Sequence, residues 1–129
     1  MFRGQTRHWP KLLPSLLRRT GTDRSRAKAQ LAAFLDWGER APQMAPYGGN
    51  HVALTAIGQH YGIPTRLLDL TTDPRVAARF AKTEAALDGK PFAVIYGFLE
   101  RNLERAAKLE VVRIDVAKLW RLEAQRGLF

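Results

Sequence analysis

Helical periodicity fills the first two thirds of this chain, and the clearest strand signals come after it. That order is the strongest constraint on the fold. A chain whose helices and strands do not alternate regularly cannot build a parallel βαβ series, so an α+β architecture is expected. Residues 24–38 carry one apolar stripe, with Leu31, Phe34 and Leu35 at i, i+3 and i+4, while Arg24, Lys28 and Asp36 face water. Gly38 and Pro42 are expected to stop that helix. Residues 41–50 read as a loop, and residues 52–61 as a second helix closed by a left-handed cap at Gly62 and by Pro64. Asp73-Pro74 is a helix start, a capping side chain followed by Pro at the first helical position. The helix it opens should run to about Leu87 with Val76, Ala77, Phe80, Ala81 and Leu87 inward.

The remaining signals are shorter. Residues 11–19 read as a turn or short helix interrupted by Pro14. Leu67-Leu68 are strand-like, and Asp88-Gly89-Lys90-Pro91 is a turn. Phe92–Leu99 is an apolar run bounded by turn residues. In Leu109–Asp115, Val112 and Ile114 alternate with Arg113 and Asp115 as in a strand. Glu100–Ala107 reads as a charged connection between them, residues 116–122 as a helical turn, and Leu128-Phe129 as the beginning of a last strand. The expectation is a single domain over residues 1–129, trimmed at both ends. Its mostly N-terminal helices would pack on a small mixed or antiparallel sheet.

The 46% hydrophobic content is that of a folded globular chain. The absence of cysteine excludes disulfides, thiolate zinc sites and a cysteine nucleophile. His8, His51 and His60 share no metal-ligand spacing, so no metal site is expected. No apolar run approaches the ~20 residues that cross a bilayer, and Arg3 and Arg7 are not followed by a signal-peptide core. A soluble, cytoplasmic setting with no membrane partner is the expectation.

The formal net charge is +9. The first forty residues hold nine Lys/Arg against three Asp/Glu, which concentrates the excess in the N-terminal third. Such a balance favours a nucleic acid, a phosphate-bearing ligand or an acidic protein. Arg18, Arg19, Arg24 and Lys28 are the candidate nucleic-acid contacts, or else a solvated basic face.

Several residues could carry chemistry. Arg3, followed by Gly4, offers a five-donor fork beside an accessible backbone and suits a phosphate or a carboxamide; it could equally be paired with Asp69. His60 and Tyr61 end a helix, where the histidine can titrate near neutrality or bond the last carbonyls. Thr65 and Arg66 follow a Pro-fixed turn and line a pocket or brace the loop. Asp69, expected as a buried strand acid, could orient Arg3, Arg66 or His60 or act as a general base. Thr71 and Thr72 precede a helix N-terminus and either help hold an anion or cap the helix. Glu123 could stabilise a cationic transition state or lie on a helix surface.

Phe2-Arg3-Gly4-Gln5, Trp9, Leu13-Pro14-Ser15-Leu16-Leu17-Arg18, the stretch from His60 through Ala81 with His60-Tyr61-Gly62-Ile63-Pro64-Thr65-Arg66-Leu67-Leu68-Asp69 at its head, and Gln125-Arg126-Gly127-Leu128-Phe129 together resemble the FRG domain family, found mostly in bacteria and phages. A more distant resemblance is to ADP-ribosyltransferases of the arginine–serine–glutamate type. Arg3-Gly4 is similar to their first element, Asp69-Leu70-Thr71 with Pro74 and Phe80-Ala81 to their second, and Glu123-Ala124-Gln125 to their third. That resemblance implies an ADP-ribosyltransferase-like fold and NAD as ligand, held by Arg3 and the Gly4 backbone. Thr71 would support Arg3, and the last motif would activate the ribose. It further implies a toxin or phage-defence effector acting on nucleic acid or protein. Asp69 replaces the first Ser of the pattern, and Gln125 stands where the catalytic Glu would be. Either Glu123 substitutes, or His60 and Asp69 define another chemistry, or the domain binds a nucleotide or nucleic acid without catalysis, through Arg3, Arg66 and the N-terminal basic cluster. A purely structural interaction domain is the remaining alternative.

Overall fold

The computed structural model describes residues 1–87, 93–107, 110–113 and 127–128. The fold is α+β, and its contacts divide it into two compact units, Met1–Lys11 with Asp69–Phe129 and Leu12–Leu68.

The first unit holds the sheet. Strands β1 (Phe2–Gln5), β2 (Leu70–Thr71), β3 (Val94–Gly97) and β4 (Gly127–Leu128) lie in the order β3-β1-β2-β4, with every pairing antiparallel. β1, which carries Phe2-Arg3-Gly4-Gln5, is therefore an interior strand. β1 pairs Arg3 with Tyr96 and Gly4 with Ile95 on one side, and Phe2 with Thr71 on the other. Reciprocal bonds of 2.8 Å between Met1 and Phe98 extend the β1–β3 ladder by one residue. Helix α3 (Pro74–Leu87) starts where the Asp-Pro signal predicts and packs on β1 through buried Ala77 and Ala81. Phe80, expected inward, is 42% exposed. It sits one residue before Ala81, and a helix rotates by about 100° per residue, which takes it off the buried line.

Three connecting segments differ from expectation. The short strand forms at Leu70–Thr71 rather than Leu67-Leu68, because Leu67 N–H is already taken by the Thr65 hydroxyl at 3.1 Å. Glu100–Ala107 is a helix, α4, not an open connection. Its Glu, Arg, Leu and Ala are helix formers, with Glu100 in the first turn and Arg105 in the last, as the helix dipole favours. Glu110–Arg113 carry no strand, and Arg113 instead reaches Glu100 at 2.8 Å. The expected turn at 88–91, the rest of the Leu109–Asp115 strand, the helical turn at 116–122 and Phe129 lie outside the described residues.

The second unit is helical. Helix α1 (Gly21–Arg40) is longer than its apolar stripe, and Gly38 lies within it rather than stopping it. The helix ends at Ala41, before Pro42 opens a 3-10 turn over Pro42–Tyr47. Gly38 is there for packing: a Cβ would stand 3.0 Å from a methyl of Leu54, which is fully buried. In return, Gly58 on helix α2 (His51–His60) lies where a Cβ would come 3.1 Å from the Phe34 ring. Each helix thus receives a large side chain of the other over a glycine. Burial of Leu54 and Ile57 contributes about 1.5–3 kcal/mol per side chain.

Helix α2 is capped at both ends. The Asn50 side chain accepts from Ala53 N–H at 3.0 Å. At the far end, Gly62 has φ +87°, its N–H bonds Gln59 C=O at 2.9 Å, and Ile63 N–H bonds Gly58 C=O at 3.0 Å. This is a Schellman closure, as the Gly62 signal predicts. Among the described residues, no helix is long and apolar enough to cross a membrane.

Candidate functional site

The first unit places four of the candidate residues around β1 and β2. At Gly4 a Cβ would lie 1.8 Å from the carbonyl oxygen of Ala77 and 2.9 Å from the amide nitrogen of Ala81. No other residue type allows α3 this close. The contact also fixes the faces of β1: Phe2 and Gly4 look toward α3, and Arg3 looks to the opposite side with its cross-strand partner Tyr96.

Arg3 is half-buried, and its Nη1 donates to the main-chain carbonyl of Asp69 at 2.7 Å. A planar guanidinium anchored at one nitrogen has its whole fork oriented. Asp69 is not the buried strand acid expected from the sequence. It precedes β2, its side chain is exposed, and its backbone is what Arg3 grips. Thr71 is buried, and its Oγ1 accepts from Asp73 N–H at 3.1 Å, so it helps set up the start of α3. Asp73 in turn accepts from Arg75 N–H at 2.9 Å and pairs with the Arg75 guanidinium at 2.8 Å. That hydrogen bond, reinforced by the carboxylate charge, raises the Arg75 pKa.

Beside Arg3 the same unit gathers aromatic groups that the sequence did not single out. The Tyr96 hydroxyl accepts from Trp9 N–H at 2.8 Å. The Tyr96 ring is stacked with Phe98 at 6.3 Å and lies 6.1 Å from the His8 ring. The Arg7 guanidinium sits 3.7 Å over the Trp9 ring. Tyr96 could have been found only from its register opposite Arg3, which pairing decides and composition does not.

The second unit holds the other candidates. His60 is half-buried at the end of α2, with its ring edge-on to Tyr61 at 5.6 Å, and Tyr61 is 70% exposed. Arg19 pairs with Asp23 at 2.9 Å, and Arg24 donates to the carbonyls of Arg19 and Leu17 at 2.6 and 3.0 Å. Those two cations fasten the approach to α1. Thr65 is fully buried and braces its loop: its N–H bonds the Ser15 hydroxyl at 3.0 Å, its carbonyl accepts from Leu16 N–H at 2.9 Å, and its hydroxyl bonds Gln59. Arg66 is exposed next to it and, with Lys28, lines an open groove. Arg18 is exposed on the turn before α1. Glu123 and Gln125 lie outside the described residues. Among the described residues, no group of three or more His, Asp or Glu could hold a metal ion.

A family model of the FRG domain matches residues 1–89, more than half of the chain. The chain belongs to the FRG domain family. The matched span includes β1, both helices of the second unit and α3, and contains the FRG motif residues named above except those at 125–129. No curated protein and no solved structure matches this FRG domain.

Proposed function

We propose that this FRG domain binds NAD at the Arg3 corner and transfers its ADP-ribosyl group, as a toxin or defence effector acting on nucleic acid or an acidic protein. The strand order carries this reading. β2, which follows Asp69, is hydrogen-bonded on one side by β1 with Arg3 and on the other by β4, which begins two residues after Gln125. Two of the segments that resemble the ADP-ribosyltransferase motifs therefore begin on the neighbouring strands β1 and β2, and the third precedes β4 in the sequence.

The residues present suit such a ligand. NAD supplies a diphosphate, two planar rings and an activated glycosidic bond. Arg3, oriented by the Asp69 carbonyl, provides a planar cation for the diphosphate. Tyr96 and Phe98 offer ring faces on the same side of the sheet. Gly4 keeps α3 close, and Thr71 with Asp73 fixes where that helix begins. Glu123 is the carboxylate assigned to stabilise positive charge at the reacting ribose, and Asp69 is the further candidate in the first unit for an acid–base role.

The test is incubation of the purified chain with NAD while following nicotinamide release and label transfer to protein and RNA acceptors. Binding and turnover should both fall with Arg3→Ala, and turnover alone with Glu123→Ala. A wild-type chain that neither binds nor consumes NAD overturns the proposal. Gln125 at the expected carboxylate position favours a second reading, nucleotide binding without transfer. A neutral amide gives up electrostatic help typically worth about 10²–10³ in rate. NAD binding that Arg3→Ala abolishes, with no nicotinamide released, would select it.

A further inference from the structure

The second unit carries a groove of about 500 Å³ with Leu16, Leu31, Leu35, Val52 and Leu67 among its lining residues. Lys28 and Arg66 also line it. Val52 is 39% exposed, so the apolar floor reaches solvent. The three acids of residues 12–68 are already engaged: Asp23 with Arg19, Asp36 with Arg40, and Glu39 at 3.6 Å from His51. Among the described residues, no carboxylate pairs with Lys28 or Arg66. The result is an apolar strip bordered by two cations, in a chain of net charge +9.

We propose that this groove docks an acidic amphipathic helix of a partner protein. Its apolar side chains would lie over Leu31, Leu35, Val52 and Leu67, and its carboxylates would reach Lys28 and Arg66. Helix-in-groove recognition needs this combination of aliphatic strip and charged border. The other occupants fit less well. A nucleic acid would find cations here, but His51 is the only ring in the lining on which a base could stack. A small acyl carboxylate is ordinarily enclosed over most of its surface, whereas this groove is open. A second copy of the chain would bring another net +9 against the same cations.

The test uses the full chain and a phage-displayed library of random peptides of about 16 residues, long enough to form a helix on binding. Enriched peptides should carry apolar residues at i, i+3/i+4 and i+7 flanked by Asp or Glu. A labelled peptide with the enriched sequence should lose at least about tenfold in affinity, by fluorescence anisotropy, against Val52→Asp. The double variant Lys28→Glu/Arg66→Glu should lose a similar factor and a large part of the salt dependence, and should recover with a peptide whose acids are changed to Lys. Circular dichroism of each variant checks that the helices persist, and the charge-swap rescue stands apart from folding. Enrichment of sequences without the acidic, apolar-striped pattern would overturn the proposal. So would peptide affinity that both variants leave unchanged, binding of oleate or oligouridylate at this groove with no peptide enriched, or a chain dimer that Val52→Asp dissociates.

Discussion

Gly4 lies directly beneath the Ala77 carbonyl, at a position where a Cβ would be 1.8 Å from that oxygen. Contacts of this kind involve backbone on both sides, so no rotamer change can relieve them. Gly4→Ala must push α3 away from β1 or bend the strand. Overpacking of this kind costs about 1–3 kcal/mol and occasionally more. Gly38→Ala is the comparison, because its Cβ would meet only a side-chain methyl of Leu54, at 3.0 Å. In urea titrations Gly4→Ala should be the more destabilised of the two. Equal midpoints would mean that β1 and α3 are not held as tightly as this contact requires.

Arg3 has one observed role, and the proposed function gives it a second that can be separated from the first. Its bond to the Asp69 carbonyl joins residues far apart in the chain, but the bond is exposed, so its loss should cost only about 1 kcal/mol. Its proposed role toward a diphosphate depends on the oriented planar fork. Arg3→Lys should therefore keep near-native stability yet weaken NAD binding at least about tenfold. Calorimetric titration with NAD, set beside a thermal melt, separates the two. A lysine variant that binds NAD like the wild type would limit Arg3 to a tether.

Much of the fold could be read from local signals. Asp73-Pro74, Gly62 and the stripe of Leu31, Phe34 and Leu35 each encode an element boundary or a face, and the structure places α3, the α2 cap and α1 accordingly. The misreadings share a cause. Gly38 was expected to break a helix, yet Leu54, sixteen residues later, makes it a packing position. Asp69 was expected to be a buried acid, yet the Thr65 clamp shifts the strand past it. The candidate site was legible only as motifs. Tyr96 opposite Arg3, and Arg66 with Lys28 in the lining of one groove, follow from register and tertiary packing, which no local pattern specifies.

Asp73 caps α3 from a buried position, accepting from Arg75 N–H at 2.9 Å. Its ion pair with Arg75 adds little, because the Arg75 side chain is 85% exposed and solvent screens it. Asp73→Ala should thus cost about 1–2 kcal/mol, the range of a lost N-cap, and Asp73→Asn much less. Arg75→Ala should be nearly neutral. Chemical denaturation of the three variants measures the order, and an Arg75→Ala loss as large as that of Asp73→Ala would show the pair, not the cap, to dominate.

Thr65 is fully buried, and its hydroxyl serves two partners, accepting from Leu67 N–H at 3.1 Å and bonding the Gln59 side chain. Thr65→Val keeps the shape but leaves an amide and a carboxamide oxygen without that partner in a dry site. Unsatisfied groups of this kind cost about 1–3 kcal/mol. Thr65→Ser retains the hydroxyl and loses only a methyl, which costs about 1 kcal/mol. The loop from Ile63 to Leu68 positions Arg66, so the valine variant should also expose the Leu67 amide to faster hydrogen exchange than in the serine variant. Equal exchange at Leu67 in the two variants would show that the backbone bonds from Thr65 to Ser15 and Leu16 hold the loop without the hydroxyl.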